Sequence, residues 1–415
     1  MAEKKKLLVL AHLYAPDVAS TASLYQQLCE SFAKTYNVTV LCVSPCYAMD
    51  GKKSSQRKSV LRETVNDVHL IRIRVPAYNR SSKSSRIKHL LTYFFKGIGQ
   101  IIHLGRHDVV LTLAQPPIVA GLLGIISKWI THGKLVYNIQ DFNPEQIEVT
   151  GYSNNKLLLN ILKGIDNYTC RHSDHVIIIS EDMEKTLIQR LKGKKIPPHS
   201  VISNWADTIN VSPVARKDNI LIKEWDLDPN KFFVVYAGNY GLLQNLSTVI
   251  NAAEQLKEIN DIQFIMIGAG AEEGKLRNMV KEKELTNVIF KPYRPMEEIK
   301  YVYSLGDVEL VSIGKDVTTC SMPSKTWNIL ACGRPLVCQV EQKTGLEKLI
   351  NYNRVGKSIE INDSKLLANT IFMFYKNKSL YKEMAQNARK LAEDQFNANK
   401  SISQYQKVIK KVINN

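Results

Sequence analysis

FFVVYAGNYGLLQN, residues 232–245, reads as a buried strand that runs through a glycine turn into a helix. Phe232 to Tyr236 are bulky or branched, and the run to Ala237 carries no charge, as a strand covered on both faces requires. Gly238 and Gly241 follow, where the backbone must turn sharply or approach another group closely. Two readings stay open for this turn. It is either a plain strand-to-helix connection, or a cradle in which Gly238, Asn239, Gly241 and Gln244 meet a phosphate at the amino end of a helix beginning near Leu243. IQFIMIGAG (262–270) repeats the arrangement, and its Gly268 and Gly270 carry the same two readings.

Working outward, NVIFKPY, DVELVSI and RPLVCQV extend this strand series, with helices expected at 243–258 and 274–284. An equivalent series precedes it: KLLVLAHLY, NVTVLCVS, VHLIRIRV, DVVLTLA, KLVYNIQ and DHVIIIS, with helices such as 20–34 and 155–171 between. Strand and helix in alternation predict parallel sheets. At VISNWADTINVSPVARKDN (201–219) the pattern breaks into polar turn residues. The expected domains are therefore 1–205 and 220–390, joined by a linker at 206–219. In the tail 391–415, SISQYQKVIKKVINN aligns Ile402, Tyr405, Ile409 and Val412 on one helical face, which a return to the first domain would bury. The 415 residues exceed what one core usually holds. The predicted fold class is α/β, two doubly wound Rossmann-like domains facing across a cleft, with ligands at the carboxyl ends of the strands.

The formal net charge is +17 and is unevenly placed. Residues 51–106 hold 13 basic and 2 acidic side chains, a local +11. Within them RIKHLLTYFFKGIGQIIHLGR (86–106) sets Ile87, Leu91, Phe94, Ile98 and Ile101 or Ile102 on a helical stripe beside Arg86, Lys88, Lys96 and Arg106. This is either a basic amphipathic helix for an anionic membrane surface or a core-packing helix with a solvated basic face. Nucleic acid is not the expected partner, because no zinc, RNA-binding or helix-turn-helix signature accompanies the charge. The seven cysteines are scattered and mostly set in apolar runs, which suits reduced thiols in the cytoplasm. Cys42 and Cys46 are close, but no second pair completes a metal site. The start MAEKKKLLVLAHLY reads as a first strand rather than a signal peptide. IVAGLLGII (118–126) is too short to span a bilayer, which takes roughly 20 residues.

CSMPSKTWNILACGRPLV (320–337) follows the strand DVELVSI and places Pro323, Ser324 and Lys325 at the start of a helix. A lysine is unfavourable at the positive end of a helix dipole unless an anion lies between them. A diphosphate there would make helix amides and the Lys325 ammonium cooperate, and the bland alternative is a lysine reaching solvent.

PSKTWNILACGRPLV, together with YAGNYGLLQN, NIQDFNPEQ and the SNW of the linker, resembles the family 4 glycosyltransferases of the GT-B fold. The likeness is to the bacterial branch that includes colanic acid and O-antigen transferases for fucosamine-type sugars. It implies transfer of a hexose from a nucleotide-sugar, usually UDP-linked, to a growing or lipid-linked glycan in surface polysaccharide synthesis, with the anomeric configuration retained. It implies no metal or other cofactor, a cytoplasmic enzyme peripheral at the inner face of the cell membrane, and room for partner subunits. By the same resemblance Asp141 takes a catalytic or acceptor-facing role, with Glu145 nearby; the turn after the first strand, with His12 and Tyr14, should face the same cleft and bind acceptor or donor phosphate. Lys325 serves the leaving diphosphate with Ser324 beside it, Ser321 and Met322 meet the donor sugar, and Tyr293 and Arg294 lie by the nucleobase. Asn328 would hold the ribose hydroxyls. The chain departs from the pattern where many members have two glutamates, since Cys320 and Asn328 stand there. That departure favours one rival reading, a non-catalytic glycosyltransferase-like partner subunit, and a third reading is a nucleotide-sugar epimerase on the same fold.

Overall fold

The computed structural model describes residues 3–17, 19–45, 58–77, 83–149 and 155–415. The chain forms two compact units, the first from 1–203 with 401–415 and the second from 204–400. Cys46 and the basic residues at 51–57 and 78–82 lie outside the described residues.

The first unit is built on β1 (Lys6–Leu10), α1 (Ser20–Ala33), β2 (Asn37–Val43), β3 (Val60–Val65), β4 (Val68–Ile73), α2 (Lys83–Ile102), β5 (Val109–Leu113), α3 (Val119–Thr131), β6 (Lys134–Ile139), α4 (Asn143–Val149), α5 (Lys156–His172), β7 (His175–Ile178), α6 (Glu181–Arg190) and β8 (His199–Val201). The strands form an eight-stranded sheet in the order β3-β4-β2-β1-β5-β6-β7-β8. The described strand pairs are parallel except β3 with β4, which form an antiparallel hairpin. That corrects the expectation of a wholly parallel sheet. The hairpin turns at Asn66 and Asp67, both at positive φ, a conformation that asparagine and aspartate tolerate best after glycine. Leu8, Leu10, Leu41, Val43, Ile71 and Val110 on one face of this sheet pack against Tyr93 and Ile101 of α2 and Leu123 and Ile125 of α3.

The second unit comprises α7 (Ile220–Glu224), β9 (Phe232–Ala237), α8 (Ser247–Gln255), β10 (Ile262–Ile267), α9 (Glu273–Glu282), β11 (Val288–Lys291), α10 (Ile299–Tyr303), β12 (Val308–Ser312), α11 (Lys325–Ala331), β13 (Leu336–Gln339), α12 (Gly345–Tyr352), β14 (Gly356–Ile359), α13 (Ser364–Lys376) and α14 (Lys378–Gln395). Its six-stranded sheet runs β11-β10-β9-β12-β13-β14 and is parallel throughout. The segment 206–219 packs as part of this unit. Ala206 and Val211 are buried, and Arg216 stacks on Phe233 and pairs with Asp307. The last helix, α15 (Ala398–Asn414), delivers Ile402, Tyr405, Val408, Ile409 and Val412 to buried positions. Tyr405 meets the Nδ2 of Asn138 on β6, so 401–415 completes the first unit.

Each sheet has a point where successive connections leave in opposite directions. In the first it lies between β1 and β5, and in the second between β9 and β12. The carboxyl ends of such strand pairs are where open α/β sheets bind ligands.

Candidate functional site

At the second unit's switch point the loop after β12 reaches the end of β9. Gly238 leaves β9 at φ 146°, and its carbonyl oxygen lies against Gly268, itself at φ 147°: a Cβ on Gly268 would come within 1.9 Å of that oxygen. Only two glycines let the ends of β9 and β10 come this close. Three amides of this turn are already used. Gly238 N–H donates to Ile267 O, Tyr240 N–H to Ala269 O, and Gly241 N–H to Oε1 of Gln244. Gln244 in turn offers its backbone carbonyl to the Ser312 hydroxyl. The helix expected near Leu243 begins instead at Ser247, after a short 3-10 turn at Leu242–Gln244. The glycine turn therefore packs strand ends together, and in this structure the amides of Gly238, Tyr240 and Gly241 do not form an open phosphate cradle. Tyr236 fixes the turn from below by donating its hydroxyl to Asn239 O at 2.8 Å.

Lys325 lies over this turn. Its Nζ is 3.6 Å from the centre of the Tyr236 ring, and a Cβ added to Gly238 would stand 2.8 Å from it. The Nζ is covered and has no hydrogen-bond partner among the described residues. Burial pulls its pKa down to about 7, while the buried Glu309 of β12 acts in the opposite sense. Glu309 accepts the Gly306 N–H through Oε1, and its own pKa is pushed up by the same burial. A cation held dry above an aromatic face, with no hydrogen-bond acceptor, has capacity left for an anion.

The helix that carries Lys325 starts at that residue, one position after Ser324. Pro323 thus precedes the helix rather than lying in its first turn, and α11 is only seven residues long. Its position is set by the buried Thr326, Ile329 and Leu330 and by Trp327, whose ring lies 4.5 Å from that of Phe396. Asn328 is half-buried on the same helix, as are Ser321 and Met322 in the loop before it, and Ser324 is exposed. Cys320 is buried with its Sγ 3.3 Å from Val317 O, so its thiol is turned into the loop.

Tyr293 is half exposed, its hydroxyl 3.4 Å from Ala269 O at the end of β10. Arg294 is engaged elsewhere: it forms a two-pronged pair with Glu224, a further pair with Glu298 at 2.7 Å, and lies over the Trp225 ring. The sequence reading missed Tyr236 and Glu309. A single acidic residue inside the buried strand VELVS (308–312) was the available signal for Glu309.

In the first unit Asp141 is half-buried two residues beyond β6. Glu145 on α4 is bound into a structural cluster, 2.9 Å from Lys163 and 3.6 Å from Arg190. Arg190 also reaches Asp166 at 2.7 Å, and Asp166 accepts from the Tyr137 hydroxyl. His12 is buried at the exit of β1, its Nε2 3.0 Å from Nε2 of His89 on α2. His89 Nδ1 faces the Pro76 carbonyl, which can only accept. Hence His89 Nδ1 carries a proton and its Nε2 accepts from His12. Burial first, and then His89, lower the pKa of His12 to about 3. Tyr14 is also buried, its pKa raised chiefly by burial and next by Cys29.

Two Rossmann-like units, each a mainly parallel sheet covered by helices, are the GT-B architecture. The chain matches the family described as Glycosyl transferases group 1 over residues 217–391. It is 25% identical over 355 residues to the Escherichia coli K12 protein named "Putative colanic acid biosynthesis glycosyl transferase WcaI", covering 83% of this chain and 85% of that one. It is also 25% identical over 303 residues to "Probable glycosyltransferase WbjE" of Pseudomonas aeruginosa, covering 71% and 74%. Among solved structures, Anabaena Alr3699/HepE in complex with UDP and glucose shares the fold, with a TM-score of 0.73 at 16% identity over 98% of this chain and 99% of that one. Sucrose-phosphate synthase from Thermosynechococcus elongatus does so at 0.76, 16% and 99% of each chain.

Proposed function

We propose that the protein transfers a hexose from a UDP-linked sugar to a growing or lipid-linked glycan in surface polysaccharide synthesis. The carrying observation is the Lys325 ammonium, sealed at the β9–β12 switch point beside Gly238 and without a hydrogen-bond acceptor. The names of the colanic acid relative and of the neighbour bound to UDP and glucose support the choice of pathway class and donor.

In the proposed reaction the bond from the sugar's anomeric carbon to the diphosphate breaks and a bond from that carbon to an acceptor oxygen forms. Negative charge grows on the leaving diphosphate, and Lys325 neutralises it with no metal required. Approach of the anion raises the ammonium's pKa from about 7, so the lysine is protonated when it acts. Asn328, on the same short helix, takes the ribose hydroxyls, and the loop at Ser321 and Met322 meets the sugar. Asp141 is the proposed acceptor-side carboxylate that orients or deprotonates the attacking hydroxyl.

The test is calorimetry with UDP and turnover of a UDP-hexose panel by Lys325→Ala. Loss of charge stabilisation of this kind costs on the order of a hundredfold in rate. Turnover within a few-fold of the wild type refutes the diphosphate role. Absence of UDP binding to the wild-type protein at millimolar concentration favours a non-catalytic partner subunit instead.

A further inference from the structure

The second unit holds a recess of about 630 Å³ at the amino ends of β9 and β12, against the corner where α13 passes into α14. Strand β9 runs six residues from Phe232, which lines this recess, to Ala237 beside Gly238, so the recess lies about 20 Å from the Lys325 turn. Its volume falls within the roughly 300–1,000 Å³ of small-molecule sites. The walls are tied together by their own contacts. Phe374 is fully buried behind them, and Phe232 meets the edge of the Tyr375 ring with centroids 5.8 Å apart. Tyr375 donates its hydroxyl to Asp261 at 2.8 Å, and the Tyr381 hydroxyl accepts from Arg334 at 2.7 Å. Arg216 gives its guanidinium to the carbonyls of Pro229 and Lys231 and to Asp307, which also accepts the Phe233 N–H.

What these contacts leave over is cationic. Lys231, Lys376, Lys378 and Lys382 also line the recess, and none of the four forms an ion pair among the described residues. Lys376 lies 5.2 Å from the centre of the Tyr375 ring, which sets it against the aromatic wall. Lys378 and Lys382 stand one turn apart on α14, and like charges at that spacing repel. The first turn of α14 has no acidic residue to offset them, and the adjacent Glu383 is paired with Arg354 at 3.0 Å. The lining as a whole has five basic and two acidic side chains, and both acids are already engaged by Arg216 and Tyr375.

We propose that this recess is a second binding site, for a small molecule carrying two or more linked phosphates. The excess of three positive charges in the lining is met by a diphosphate, whereas one phosphate group brings only about −1.5 to −2 at neutral pH. Lysine ammonium groups suit linked phosphates because each acts as a movable point charge on a phosphate oxygen. The guanidinium that would grip a lone carboxylate in two prongs, that of Arg216, is held by Asp307 and two carbonyls. A recess of this size admits a small molecule and excludes the broad face of a protein or a bilayer. This inference goes beyond the proposed function and rests on the amino ends of the strands, at the opposite end of the sheet from Lys325.

The experiment is calorimetry of the full chain with inorganic pyrophosphate and with ADP, in a Lys325→Met background that removes the charge at the other site. Lys378→Gln with Lys382→Gln, both at exposed positions, is then added. The expected result is that the Lys325→Met protein binds pyrophosphate and that the two glutamines weaken this binding at least about tenfold, with melting curves unchanged. Hydrogen exchange should show pyrophosphate protecting residues 374–382. Tighter binding of ADP than of pyrophosphate upholds the proposal and gives the aromatic wall of Phe232 and Tyr375 a share in it; equal binding upholds it with the phosphates alone recognised. Binding that survives the two glutamines overturns it, as does the absence of pyrophosphate binding in the Lys325→Met protein. Sulfate binding as tightly as pyrophosphate also overturns it, because the lysines would then be a general anion patch. With Lys325 intact, the two glutamines should leave UDP binding and UDP-hexose turnover at the wild-type level, which separates failure here from failure of the donor assignment.

Discussion

Methionine at 325 keeps most of the length of the lysine side chain and removes its charge, which separates the two demands made on that residue. An unfolded lysine titrates near 10.5 and the folded one near 7. Between these values the unfolded chain binds more protons than the folded one, so the wild type gains stability as pH rises from about 7 towards 10 and lacks that gain below 7. Lys325→Met should therefore be more stable than the wild type at pH 6 by a few kcal/mol, at about 1.4 kcal/mol per pKa unit, with the gap closing by pH 10. Urea titrations at pH 6 and pH 9.5 measure this. On the proposed function, UDP binding to the wild type at pH 8 should take up protons, seen as buffer-dependent heat in calorimetry, and the same variant should lose that uptake. Gly268 gives a second residue-scale prediction. Alanine there meets the Gly238 carbonyl at 1.9 Å in an unfavourable conformation and should cost more than about 3 kcal/mol in urea denaturation. Gly105→Ala, also at positive φ but with nothing within 4 Å of its Cβ, should cost only about 1 kcal/mol.

Elements of the first unit are held together partly by charge. Arg190 of α6 is buried against Asp166 and Lys163-paired Glu145, which ties α4, α5 and α6 to Tyr137 on β6. Asp166→Ala strands the guanidinium beside a single, more distant carboxylate and should cost about 3 kcal/mol, whereas Asp166→Ala with Arg190→Met should recover much of it. A double-mutant cycle in urea checks both. At this scale the sequence was legible where strands are long and apolar on both faces, as in β1, β2, β5, β9 and β10. The strands β3, β8 and β14 were not anticipated. The first is a half-exposed edge whose VLRETV has no continuous apolar run, and the others have three and four residues. Helix α2 was read as a helix, but spacing alone could not say which of its apolar residues turn inward: Tyr93 and Ile101 do, while Ile87 and Leu91 are exposed. The site shows the same division. Lys325 was visible because a cation at a helix start is unfavourable there. Tyr236 becomes its neighbour only through the pairing of β9 with β12, across more than 70 residues of chain, and Glu309 through the path of the connection from β12 to α11. Arg294 and Glu145 looked available in the sequence, and their engagement by Glu224, Glu298, Lys163 and Arg190 is a tertiary fact.

At the scale of the whole chain, two cores are built separately, one on each sheet, and the chain's end belongs to the first. Residues 401–415 supply five buried apolar or aromatic side chains, Ile402, Tyr405, Val408, Ile409 and Val412, and the hydroxyl that meets buried Asn138. Burying one such side chain contributes about 1.5–3 kcal/mol, so a chain ended at Lys400 should lose at least about 5 kcal/mol, all from the first unit. A loss of that size is comparable to the entire stability of an ordinary domain. The core cluster of the second unit, which runs from Val234 to Met384, includes no residue of 401–415. The truncated chain should therefore unfold in two separated steps, with protease cutting within 1–203 at temperatures where 204–400 remains protected. UDP should raise only the later step, because Lys325 and Gly238 both lie in the second unit. A single transition shifted as a whole, or UDP protection of both halves alike, would show that the two cores are energetically coupled and that α15 stabilises more than the unit it packs on.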